Sequence, residues 1–267
     1  MTRKQPSGTL GKGVVSLSAS PAFWQYLFLA ACFFAWTGAA QVLPSYLMPG
    51  PVEVGGSIWE MLTVPALARN ALASVLHVVC AVGAAFVIGM CLALLAHYFP
   101  VFRTLIHRRI SSFLNSFSGI AWALLGVLWF GVNQFTVIFA VTVILLPFTL
   151  INLREGLANL DAEIVEMGQS FSLLTLRNLR LVILPLLLPF IVATLRISFG
   201  VAWKVTLTAE LLGGDKGLGY IANIATQEQN TARIVAICLM IVVFVRVLDK
   251  FGFEPVQRHL ASAYQRI

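Results

Sequence analysis

Apolar residues along this chain gather into long blocks separated by short polar breaks. The blocks fall at roughly 23–45, 72–98, 111–132, 134–153, 186–212 and 232–251. Each is close to the roughly 20 residues that an α-helix needs to cross a bilayer core. The pattern therefore predicts an all-α, polytopic membrane protein with about six transmembrane helices. No break is long enough to bury a core of its own, so 23–251 reads as one membrane domain between an N-terminal tail, 1–22, and a C-terminal tail, 252–267. One break differs from the rest. The connection 154–185 contains "EMGQSFSLLTLRNLRLVILP" (166–185), which carries Glu166, Gln169, Ser170, Arg177, Asn178 and Arg180 between greasy blocks. Within it Met167, Phe171 and Leu174 recur at i, i+4 and i+7, the spacing of a helix with one apolar stripe. Pro185 and Pro189 predict a break or kink where the fifth block begins.

Composition agrees with the bilayer as solvent. Hydrophobic residues make up 59% of the 267-residue chain and charged ones 11%, with a mean hydropathy of +0.88. Soluble domains carry about 25% charged residues. Lys and Arg then orient the spans, because positive charge gathers in cytoplasmic loops. Arg3, Lys4 and Lys12 precede the first block, Arg103, Arg108 and Arg109 follow the second, and Arg154, Arg177 and Arg180 follow the fourth. Arg246, Lys250, Arg258 and Arg266 cluster around and beyond the last, while the opposite side holds Arg69, Lys216 and Arg233. Both termini are expected in the cytoplasm. The net charge of +7 is then a topology signal and calls for no nucleic acid. The basic, Ser/Gly-rich start could be mistaken for a signal peptide, but the apolar stretch behind it is too long and lacks a small-residue cleavage site. A retained first helix is expected.

Most residues with reactive side chains fail to assemble into chemistry. Cys32, Cys80, Cys91 and Cys238 lie inside apolar blocks without C-x-x-C spacing, and behave there as small hydrophobes. His77 and Cys80 are spaced to share a helix face, yet no acidic or further His partner makes a metal site. "GGDKGLGY" (213–220) lacks the G-K-[ST] of a phosphate loop and reads as a turn. His97, His107 and His259 sit near helix ends with no Ser–His–Asp set. The chain is not expected to be an enzyme. Three charges inside the fifth block, Arg196, Lys204 and Glu210, are costly in a membrane and should face a pathway or each other. Arg196, Gly200, Lys204 and Thr208 recur every four residues along one face, with Glu210 about 120° away from Lys204. Arg196 either snorkels or faces the pathway. Lys204 either meets a solute or pairs with a carboxylate on a neighbouring helix.

The polar break also carries a resemblance. Permease subunits of binding-protein-dependent ABC importers have a cytoplasmic signature of Glu-Ala-Ala, three residues, Gly, then Ile-x-Leu-Pro. Glu166-Met167-Gly168 stands at its start and Val182-Ile183-Leu184-Pro185 at its end, with Ser172 in the place of the Gly. The lead-in "NLREGLANLDAEIVEM", with Asn152, Gly156 and Asp161, is similar to the family's own. "LPSYLMPGPVEV" (43–54), "LWFG" (128–131) and "LPFIVATLRISFGVAWKVTLTAELLGGDKGLGY" resemble the nitrate/sulfonate/taurine branch. Ser118-Gly119 departs from the Pro-Pro pair usual in the third helix, and Ser172 leaves the turn geometry open.

The resemblance implies a type I ABC importer permease fold in a bacterial inner membrane. It implies two ABC ATPase subunits, a second permease subunit (the same chain or a related one) and a periplasmic substrate-binding protein. It places the ATPase-coupling contact on Glu166, Met167, Gly168, Phe171, Ser172, Leu174 and Pro185. No cofactor belongs to this chain; ATP and Mg would sit on the ATPase. The resembled branch handles small anions and, in some relatives, uncharged heterocycles; Lys204, on one face with Gly200 and Thr208, turns the expectation towards a small anionic solute, with Lys204, Thr208, Glu210 and Arg196 as pathway candidates. The rival class, an ATP-independent secondary transporter or channel, would show an inverted repeat, and none is visible between the halves.

Overall fold

The structure is a computed structural model that describes residues 21–160, 162–171 and 175–255. Among these residues the chain is helical with no strand, so the all-α class holds. The helices are α1 (Pro21–Val42), α2 (Pro51–Thr63), α3 (Pro65–Tyr98), α4 (Pro100–Thr104), α5 (Ser111–Ser116) and α6 (Gly119–Phe130), then α7 (Gln134–Ala158), α8 (Ala162–Phe171), α9 (Thr175–Asn178), α10 (Leu184–Gly213), α11 (Leu218–Gln227) and α12 (Thr231–Leu248). The expected tails fall mostly outside the described residues.

Four helical runs are long and apolar enough to cross a bilayer: Pro65–Tyr98, Gln134–Ala158, Leu179–Gly213 and Thr231–Phe253. A fifth exists if the bent pair Val101–Ser116 and Gly119–Phe130 is one span. The expectation was about six, and the difference has two sources. The block 111–132 is not one rod, because α5 and α6 meet at an 84° bend. Phe117 and Ser118 are extended there, and the Ser118 hydroxyl accepts from the Ala121 N–H at 3.3 Å, starting a new helix. A serine cap satisfies one of the amides that a fresh helix leaves open. The first block is present as α1, whose apolar part, Tyr26–Val42, is a shorter helix.

Pro185 does not break the chain either. Helix runs from Thr175 to Gly213, and the turn before the proline, Leu179–Ile183, widens to a π-helix in which the Leu184 N–H donates to the Leu179 carbonyl. Proline removes one backbone donor and crowds the turn before it; a wider turn relieves both. Two helices escaped the block pattern altogether, α2 and α11. Both are too short to span. α11 nonetheless buries Leu218, Ile221, Ala222 and Ala225, the i, i+3, i+4, i+7 signature of one packed face.

α3, α7 and α10 form the centre of the bundle. Lipid gives apolar side chains no reason to prefer the interior, so close helix contact must come from small residues and shape. A Cβ on Gly89 of α3 would lie 2.7 Å from the Thr149 methyl of α7, and one on Gly156 of α7 would lie 2.8 Å from Phe190 Cβ of α10. Val78, Ala81, Val82 and Ala85 meet Val137, Ala140, Val141, Ala202 and Trp203 in one half of the core. Ala93, Ala96, Leu150, Leu153, Ile183 and Leu187 fill the other. Larger side chains such as Leu72, Leu76, Val242 and Val243 stay exposed on the perimeter, where lipid would solvate them. α3, at 34 residues, separates Arg69 at one end of the bundle from Arg103 just past the other.

Candidate functional site

Three polar regions interrupt this apolar bundle. The first is buried between α3, α10 and α11. Asn70, Ser74 and His77 stand at i, i+4 and i+7 on α3, so one face of that helix is polar. Glu210, 1% exposed near the end of α10, projects into that face. His77 Nδ1 lies 2.8 Å from Glu210 Oε1. The Ser74 hydroxyl donates to Glu210 Oε2 at 2.7 Å and accepts from the Leu218 N–H at 2.7 Å. The Gly219 N–H donates to Glu210 Oε2 at 2.8 Å, and the Gly217 N–H donates to Asn70 Oδ1 at 3.0 Å.

These amides belong to the start of α11, whose first-turn N–H groups have no partner within the helix. Gly217 offers no side-chain cap. Glu210 and Ser74 do that work from other helices, and a carboxylate also complements the positive end of the helix dipole. Gly217 is required at this point. Its φ is +117°, and an added Cβ would collide with the Glu210 carboxylate. "GGDKGLGY" is thus a turn only through Gly217; from Leu218 it is helix.

Arg196, Lys204, Thr208 and Glu210 were the sequence candidates for a pathway, with Glu210 about 120° around the helix from Lys204, and the structure gives them different surroundings. Glu210 is spent inside the subunit, while Lys204 and Thr208 lie on an exposed face of α10 with Ile197 and Leu211. Thr208 donates back to the Lys204 carbonyl at 3.4 Å. Gly200, on the same face, borders open space. Lys204 has no ion-pair partner among the described residues, so the neighbouring-helix carboxylate considered above is not found among them. His77 and Cys80 do not share a face in practice: His77 is buried against Glu210, and Cys80 is exposed.

Arg196 is fixed rather than loose. Its Nε and Nη2 donate to the two carboxylate oxygens of Asp249 at 2.6 and 2.8 Å, a paired fork tying α10 to the turn after α12. Asp249 stands near the end of the sixth apolar block and was not singled out in the sequence. The Asn70/Ser74/His77 spacing was visible in the sequence, and its pairing with a carboxylate inside a distant span was the missing step.

The third region is the polar break. α8 (Ala162–Phe171) exists as a helix and packs only lightly, against α9 and the π-helical turn behind it. Glu166 and Met167 are exposed on it, and the Ser170 hydroxyl donates to the Glu166 carbonyl at 3.0 Å. Gly168 and Phe171 belong to the helix. Ser172 and Leu174 lie outside the described residues. Arg177, Arg180 and Pro185 are exposed further along, whereas Asn178 is buried. Of the coupling candidates, Glu166 and Met167 therefore share an outward-facing helix that the bundle core does not use.

These features define a multi-pass, all-α membrane protein with a buried polar latch at one end and an unburied helix between its central spans. Residues 85–251, from the middle of α3 to the turn after α12, match the family described as binding-protein-dependent transport system inner membrane component, and the chain belongs to that family. It is 31% identical over 123 residues to an Escherichia coli K12 protein named as an aliphatic sulfonates transport permease, covering 46% of this chain and 47% of that one. The taurine transport system permease protein of the same organism is 25% identical over 234 residues, covering 84% and 83%. The bicarbonate transport system permease protein of Synechococcus elongatus is 25% identical over 197 residues, covering 73% and 67%. The chain spans about half the length of the sulfonate relatives it matches. In fold it resembles a chain of the inward-facing MetNI methionine ABC transporter, with a TM-score of 0.64 at 18% identity, covering 73% of this chain and 96% of that one. The expected permease family and fold both hold.

Proposed function

We propose that this chain is the membrane-spanning permease subunit of an ATP-driven importer in a bacterial inner membrane, with both termini in the cytoplasm. Two such subunits, identical or related, enclose the pathway. Two ATPase subunits, which carry ATP and Mg, dock beneath, and a periplasmic binding protein delivers the solute. The family match over 85–251 carries this reading, because that stretch includes α8 together with the spans on both sides of it. An ATPase outside the membrane can drive a pore only through a stiff protruding element. α8 is helical, exposed at Glu166 and Met167, and joined through α9 to the continuous helix of α10. Glu166, Met167, Gly168, Phe171, Ser172 and Leu174 form the docking element, and Pro185 sits where its motion enters the span. Closure of the ATPase dimer would then switch the pathway between two rigid-body states.

The solute is proposed to be a small anion. Sulfonates and bicarbonate, named for the relatives, carry negative charge. Lys204 places a cation with Thr208 on the exposed face of α10, where a second subunit would enclose it. Reconstitution with the ATPase and binding protein tests the whole reading. Uptake into proteoliposomes should require both proteins and hydrolysable ATP; uptake that persists without ATP would favour a secondary transporter or channel.

A further inference from the structure

At the end of the bundle opposite the Glu210 cluster, α3, α4 and α7 leave a cavity of about 370 Å³. Its floor is Ala93, Ala96 and Leu157, and its rim carries His97, Arg103 and Arg154. No Asp or Glu among the described residues lines it. Arg103 and Arg154 make no ion pair or side-chain hydrogen bond among the described residues. α3 and α7 both end here, and basic side chains near helix C-termini are often explained by the negative pole of the helix dipole. That explanation falls short for these two. The closing Asn159 N–H and Asn159 side chain take carbonyls of the last turn of α7, and neither guanidinium reaches one.

The segment beside the cavity is built for a membrane surface. Val101, Phe102 and Leu105 are exposed and apolar, and they alternate with Arg103, Arg108 and Arg109. A helix with exposed apolar residues next to arginines lies at the boundary between headgroups and acyl chains. We infer that the cavity between α3, α4 and α7 is a binding site for the phosphate headgroup of an anionic membrane lipid, with Arg103 and Arg154 gripping the phosphate and Val101, Phe102 and Leu105 flanking its acyl chains. Guanidinium forks match phosphate oxygens in pairs. Basic pockets between spans at the membrane boundary take anionic headgroups. A free phosphate would use the arginines but would leave the apolar flank idle, and so the lipid is the better occupant. The inference rests on the membrane-spanning reading and not on the transported solute.

The test is native mass spectrometry of the full chain released from micelles containing phosphatidylglycerol and phosphatidylcholine in equal amounts. Taking about fivefold for each guanidinium that grips the headgroup, the pair should favour phosphatidylglycerol by roughly 25-fold. Arg103→Gln combined with Arg154→Gln should bring that preference to within about twofold of unity. Arg108→Gln combined with Arg109→Gln removes equal charge outside the cavity and should leave it nearly unchanged. Equal loss in both double variants would overturn the site in favour of general surface charge. Displacement of the lipid by millimolar inorganic phosphate would overturn the lipid as occupant. Should the first double variant aggregate, Arg103→Lys combined with Arg154→Lys keeps the charge without the fork, and must lose part of the preference for the proposal to stand.

Discussion

The Glu210 cluster and α8 are both polar interruptions of an apolar chain, and the bundle treats them in opposite ways. Glu210 is enclosed by two helices and the start of a third, and both of its oxygens are taken. Glu166 stands on a helix that lies clear of the central core and is exposed. In a membrane, an enclosed carboxylate is tolerated only when every partner is present, so its residues hold the fold. An exposed carboxylate on a lightly packed helix contributes little to the fold, and its position suits a partner.

The largest effect should come from breaking the enclosed region. Glu210→Ala strands His77, the Ser74 hydroxyl and the Gly219 N–H together. Each buried polar group left without its partner costs about 1–3 kcal/mol. Thermal unfolding of the purified chain should show a large drop, and protease should cut the 214–231 segment. An unchanged midpoint would mean that the cluster does not hold α11. Gly217→Ala presses the same point with less force, since it strains a positive-φ position and pushes the carboxylate aside. A residue held in such a region costs on the order of 1–3 kcal/mol. It should destabilise the chain less than Glu210→Ala; parity between them would implicate something besides the carboxylate.

Lys204→Met moves to the exposed side of α10. Methionine keeps the length of the side chain without its charge, and Lys204 has no ion-pair partner to lose among the described residues. Unfolding should be unaffected while ATP-dependent uptake of an anionic solute falls several-fold. Normal uptake would remove Lys204 from the pathway. A loss of stability would point to an ion pair formed across the subunit interface.

The two regions were also unequally legible in the sequence. α8 was found because Glu166-Met167-Gly168 and Val182–Pro185 keep a spacing that resembles a family signature, and local spacing survives without knowledge of the fold. The spans were found from apolar length, except for the first block, whose apolar helix Tyr26–Val42 is shorter, and where Ser118 starts a new helix inside an apolar block. There composition is blind, because a bent helix and a straight one can carry the same residues. Glu210 was recognised as expensive, but its partners were not named. Its partners on α3 lie more than 130 residues away, and only packing reveals that Ser74 and His77 face it. α11 was missed because ten residues are too few to span, although its buried stripe had helical period.

Glu166→Arg has the smallest expected effect on the fold and bears most directly on the account. Charge reversal at a docking surface repels the partner that the original charge attracts. The measurement is co-purification of the ATPase with the wild-type and variant chains, with an unfolding curve recorded on each. The account predicts that the variant loses most of its ATPase while its unfolding midpoint stays that of the wild type. Full ATPase retention, or a midpoint that falls as far as that of Glu210→Ala, would contradict it.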